Sequence, residues 1–164
     1  MEKKSIYNWK NNLFGTKSTL YCNDAVIGSL ESIDWNLDAH VSIHKDKYRF
    51  INKGLFNPYT EIRNQNNELI GDIEYNSWKS KATISLINKK YTWSPKNRWM
   101  TAWQIEDELG KVVEIKPSSL SNGGKIESCE NSELILSISL YLQKRTTVMF
   151  SMVALIPLLT LILI

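Results

Sequence analysis

Ile27-Gly28-Ser29-Leu30-Glu31 returns 43 residues later as Ile70-Gly71-Asp72-Ile73-Glu74. The register continues without a gap, so that 27–63 matches 70–106. Trp35 recurs as Trp78, Ala39 as Ala82, Ser42 as Ser85, Lys47-Tyr48 as Lys90-Tyr91, Lys53 as Lys96 and Ile62 as Ile105. Ten identities fall in 37 positions, where average usage gives about 2 by chance. Similar residues fill the gaps, Val41 with Ile84 and Phe50 with Trp93 among them.

Each copy reads as about four strands. Val41-Ser42-Ile43, Tyr48-Arg49-Phe50, Tyr91-Thr92-Trp93 and the series Trp99, Thr101, Trp103, Ile105 alternate apolar and polar, the period of a half-buried strand. Turn residues separate the runs at 44–47, 64–67, 87–90, 94–97 and 107–110. Working outward gives twelve strands, starting near residues 5, 18, 25, 39, 47, 57, 69, 80, 90, 99, 111 and 124. Two copies are too few for a propeller. The expected fold is mainly β, a roughly twelve-stranded closed or nearly closed antiparallel barrel, which leaves no bare sheet edge. About eight strands already enclose a barrel full of side chains, so twelve need a plug.

Two apolar segments follow the strands. Leu134 to Leu142 carries no charge and is flanked by Glu133 and by Gln143-Lys144-Arg145. Asn131 or Ser132 offers an N-cap, and the flanking charges suit a helix dipole over 132–145. Apolar residues on nearly every side mark a helix surrounded by protein. The competing reading is a thirteenth strand with Leu134, Leu136, Ile138, Leu140 and Leu142 on one face. Val148 to Ile164 is a second segment of 17 uncharged residues, 14 of them apolar. It rises about 25 Å as a helix, at the lower limit for a bilayer span. Lys144 and Arg145 before it suit a cytoplasm-facing body. The expected organisation is therefore a barrel with a core helix over 1–145 and a hydrophobic tail, a membrane anchor, over 146–164. The alternative is a soluble intracellular barrel that keeps the last segment as core.

The full chain has 164 residues, a net charge of +3, six Trp and seven Tyr. These numbers exclude a disordered chain and a nucleic-acid arm. The polar start has no signal-peptide core, so the body is expected in the reducing cytoplasm, with Cys22 and Cys129 as free buried thiols. No nucleophile elbow, phosphate loop or zinc-protease motif occurs. Asp38, His40 and His44 lack metal-site context, and the histidines read as hairpin-surface residues. Trp35, Trp78, Trp99 and Trp103 read as barrel packing. No catalytic residue, metal or cofactor is expected.

One surface feature carries functional content. Lys45, Lys47, Lys53, Lys89, Lys90, Lys96 and Arg98 fall at ends of repeated strands, where equivalent turns of a barrel share a rim. Such a rim meets anionic headgroups at about 1 kcal/mol per charge. Membrane lipid is thus the expected partner, with a protein partner as the other class. The oligomeric state is not fixed by the sequence.

The order of twelve short strands and then an apolar helix resembles the tubby C-terminal-like barrel superfamily, which includes tubby, the phospholipid scramblases and the LURP-one-related proteins. The likeness is carried by 27–31 and 70–74, by Lys81-Ala82-Thr83-Ile84, by Tyr91-Thr92-Trp93 and by 133–142, and it covers about residues 5–145. It implies a central helix threaded through the barrel. It also implies lipid contact of the kind tubby makes with phosphoinositides and scramblases make in lipid transport. No site residue is carried over, because the likeness is one of pattern. The segment after 146 departs from it.

Overall fold

The structure is a computed structural model. It describes residues 4–32, 37–54, 58–76, 78, 80–118 and 122–162, with the side chains of 152–162 excepted. Among these, twelve strands run in chain order: β1 (Ser5–Asn11), β2 (Lys17–Cys22), β3 (Ala25–Ser32), β4 (Ala39–Ile43), β5 (Asp46–Lys53), β6 (Tyr59–Asn64), β7 (Leu69–Asn76), β8 (Lys81–Leu86), β9 (Lys89–Pro95), β10 (Trp103–Asp107), β11 (Gly110–Pro117) and β12 (Gly123–Ser128). Sequence neighbours pair antiparallel, and β12 pairs back onto β1 to close the barrel. Along β4 and β8 every second side chain is buried, the mark of a sheet with one wet face.

The pairing register reveals a third copy of the repeat. In β4–β5, Ala39 faces Phe50 and Val41 faces Tyr48. In β8–β9, Ala82 faces Trp93 and Ile84 faces Tyr91. In β12–β1, Gly124 faces Trp9 and Ile126 faces Tyr7. Each time a small residue makes room for a large aromatic. The same bulge recurs at Leu20/Tyr21, Ile62/Arg63 and Ile105/Glu106. The barrel is therefore three four-stranded units, β2–β5, β6–β9 and β10–β12 completed by β1. The third unit escapes a sequence comparison for two reasons. It is split between the two ends of the chain, and its sizes are exchanged. Gly28 and Gly71 face Ile43 and Leu86, whereas Val113 faces Ser128.

One strand starts later than its sequence suggests. The alternation from Trp99 leads into β10, but the strand begins at Trp103. Asn97 diverts the chain: its side chain accepts the Thr101 N–H at 3.1 Å, and its carbonyl accepts the Met100 N–H at 3.1 Å. Met100 takes a φ of 53°, so 97–101 is a looped turn and Trp99 is left outside.

Helix α1 (Glu133–Ile162) follows β12. Ser132 is its N-cap, with its Oγ accepting the Ile135 N–H at 3.3 Å. Residues Ile135 to Gln143 are buried on every face. They share one hydrophobic cluster with the inward strand residues, including Leu30, Ile73 and Ile115. The segment packs on β3, β4 and β5 and also on β11, across the ring, so the sheet encloses it. Ser137 and Ser139 stay in this apolar setting because their hydroxyls donate to the Glu133 and Ile135 carbonyls. The segment 134–142 is thus helical and not a thirteenth strand. The division of the apolar C-terminus at 145/146 does not appear as a break, since α1 runs through it unbroken. Beyond Ser151 the side chains of the expected tail lie outside the described residues.

Candidate functional site

Antiparallel order gives the barrel two unlike ends. Helix α1 enters at the end that carries the tight turns β2–β3, β4–β5, β6–β7, β8–β9 and β10–β11. It leaves at the end that carries the remaining connections. This separates the expected basic rim into two groups. Lys45, Lys47, Lys89 and Lys90 lie at the entry end, while Lys53, Lys96 and Arg98 lie at the exit end. Strands β5 and β9 each run from one end to the other, and lysines at their two termini do not share a rim.

Two of the seven are also committed to carboxylates. Lys89 pairs with Asp107 at 3.0 Å and Glu130 at 3.2 Å, and these bonds raise its pKa. Lys96 pairs at 2.5 Å with Glu114, which Lys111 and Lys116 also reach at 2.6 and 3.0 Å. Burial pushes the Glu114 carboxyl up, but hydrogen bonds from Lys111, Lys96 and Lys116 outweigh it and hold the group at about 2. A depressed folded pKa stabilises the fold above the ordinary carboxylate range, and that contribution is lost as pH falls through about 4 to about 2. Acidification through that window is expected to cost the native chain about 2 kcal/mol more than Glu114→Gln, read from urea midpoints at the two ends of the window.

Asp38, His40 and His44 do not converge. Asp38 accepts the Asn52 N–H at 2.7 Å, His40 is exposed on β4, and His44 Nδ1 lies 3.3 Å from Glu133. Both cysteines are free, but they are half-buried where burial was expected.

The exit end is where unlike features meet. Tyr141 stacks on Phe50 with centroids 4.3 Å apart, and its hydroxyl accepts from Asn52 Nδ2 at 3.0 Å. Arg145 donates to Asn52 Oδ1 at 2.8 Å and lies 3.8 Å over the Tyr75 ring. Burial pushes the Tyr75 phenol well up. Lys144 donates to the Gly15 carbonyl, and burial lowers its pKa. Among the described residues neither cation forms an ion pair with a carboxylate. Between this face of α1 and the loops lies a cavity of about 380 Å³, lined by Phe14, Leu37, Tyr141, Lys144, Arg145 and Val148 among others. A second cavity, of about 280 Å³, lies against Trp93, Trp103, Arg145 and Phe150.

Three of the exit loops expose an aromatic side chain. Phe14 is 83% exposed, Trp78 100% and Trp99 84%, with Leu13 beside them and Met149 and Phe150 on α1. Trp78 and Trp99 are thus not barrel packing, because both stand past the strand ends where alternation no longer orients a side chain. Trp103 does pack, stacked on Trp93 at 4.2 Å. Trp35 lies outside the described residues. The entry end exposes Ile6, Val26, Leu69, Ile87 and Leu109, which are aliphatic and not aromatic. Sequence reading missed this group of exposed aromatics. Its signal was the placement of Phe14, Trp78 and Trp99 in alternate connections, which becomes legible once strand ends are assigned.

Among the described residues no helix is long and apolar enough to cross a membrane. Comparison with protein-family models, curated proteins and solved structures finds no match for the chain.

Proposed function

We propose that the protein is a non-catalytic barrel module that sits on a membrane surface through its exit end, anchored by the continuation of α1. The observation that carries this reading is the exposure of Phe14, Trp78 and Trp99 on three loops of the end where an enclosed helix leaves the barrel, with Phe150 on the helix itself. Trp and Phe at one end of a soluble body favour the headgroup level, where one side of the ring is apolar and the other wet. The charge-free sequence 148–164 continues from that point. Exposed Lys53 and Arg98 on the same end would meet anionic headgroups. The resemblance to tubby-like barrels agrees with a lipid-surface role.

A second reading has its own support. It is an intracellular barrel, with α1 serving only as core, and it is favoured by the burial of 135–143 and by the lack of a membrane-length apolar helix among the described residues. Fractionation after alkaline carbonate washing separates the two. The proposal expects full-length protein in the membrane pellet and a chain ending at Arg145 in the supernatant. Full-length protein in the supernatant would overturn it.

A further inference from the structure

We infer that the larger exit cavity is a binding site for one anionic amphiphile, a carboxylate or phosphate carrying an acyl chain. The inference rests on the proposed orientation at a membrane and names the ligand of that same end. Two cations on successive residues of α1 border the cavity, and both are half-buried. Among the described residues neither has a carboxylate counter-ion; a half-buried charge without one is costly and is relieved by an anion with charge-assisted hydrogen bonds. Counted over the described residues, each cation has donors to spare. Lys144 uses one of its three protons on the Gly15 carbonyl. Arg145 uses one of its five on Asn52, with its plane held over Tyr75. Asp38, a described carboxylate of this network, is turned to the Asn52 amide and makes no ion pair with either cation among the described residues.

The rest of the lining selects the ligand class. Phe14, Leu37, Ala39 and Val148 supply apolar lining, and Thr16 and Ser32 are neutral polar residues of the same cavity. A small inorganic anion would leave that apolar lining wet. An acyl chain covers it and leaves along α1 toward the exposed Phe14, the direction in which a bilayer would lie. The site therefore takes its charge at the helix and its chain at the rim.

The test uses the full chain with phosphatidylcholine vesicles containing a trace of nitroxide-labelled stearate, phosphatidic acid or phosphatidylcholine. Flotation reports the anchor, and the immobilised fraction of the nitroxide spectrum reports the site. The expected result is saturable immobilisation of both anionic labels. It should be weakened about tenfold or more in Lys144→Met/Arg145→Gln, with flotation and a cooperative melt retained. Lys144→Arg and Arg145→Lys should keep binding, and inorganic phosphate should not displace the label. Flotation without immobilisation, or equal immobilisation of the phosphatidylcholine label, would overturn the site and leave the anchor standing. Displacement by phosphate would overturn the lipid as the source of the anion. If the chain does not float, the membrane reading fails. The site is then decided by the same spectra with labelled stearate in solution.

Discussion

Ile138→Asp is expected to abolish the cooperative unfolding transition. Ile138 lies in the middle of the enclosed stretch of α1 and has no exposed surface. The side chains of its helical neighbours, Ser137 and Ser139, already satisfy themselves on the backbone of their own helix. Nothing there offers an ionised carboxylate a partner. An unpaired buried charge costs several kcal/mol even after relaxation, and a domain of this size holds only about 5–15 kcal/mol in total. Ile138→Ala is the milder control. It removes apolar contacts and leaves a cavity that the closed sheet cannot collapse into, at about 3 kcal/mol. Its urea midpoint should fall while the transition stays cooperative. An Ile138→Asp chain that melts like the native one would show that the helix is not enclosed.

Gly28→Val is the second large effect. A Cβ at Gly28 stands 2.3 Å from the Ser42 carbonyl oxygen and 3.0 Å from the Ile43 Cα. Both are backbone atoms of the adjoining strand, so a side-chain rotamer change does not relieve the contact. Gly71 repeats the geometry, with the Ser85 carbonyl at 2.6 Å. The two strands must part or the bulge beside Gly28 must unwind. The expected cost is about 3 kcal/mol or more, above the usual range for a substituted strand glycine. Val113 occupies the equivalent place in the third unit and faces Ser128, so the position is not closed to valine in every setting. Gly28→Val with Ile43→Ser tests whether that exchange of sizes is sufficient. The backbone contact predicts only partial recovery, read from the same urea midpoints.

Much of the architecture is legible in the residues, because a barrel strand writes its period into the chain. The alternation of β4, β5, β8 and β9 is visible, and the 43-residue offset gives two of the three units. The pseudo-threefold closure is not, because pairing across β12 and β1 joins residues from opposite ends of the sequence. The helix over 134–142 shows equally well as period two or as an unbroken apolar run. Only enclosure on every face distinguishes them, and enclosure is a property of the assembled sheet.

The site is less legible than the fold. Seven basic residues look like one rim when counted by position in the repeat. Yet the direction of each strand assigns them to two ends, and Lys89 and Lys96 are absorbed by carboxylates from distant parts of the chain. Lys144 and Arg145 stand out in the sequence only as the last charges before an apolar tail. Their cavity depends on Phe14 and Leu37, which are more than a hundred residues away in sequence. Trp78 and Trp99 mislead for a related reason. The repeat and the alternation both suggest packing, and a turn made by Asn97 is enough to leave Trp99 outside.

The central claim is that one helix does two jobs, with the division near Arg145: residues before it complete the barrel, and those after it leave. The most direct measurement is the urea-induced unfolding of a chain ending at Arg145, followed by Trp fluorescence beside the full-length protein. A retained cooperative transition with nearly the same midpoint is the predicted result. Loss of that transition would contradict the claim, because it would make the residues after Arg145 part of the core.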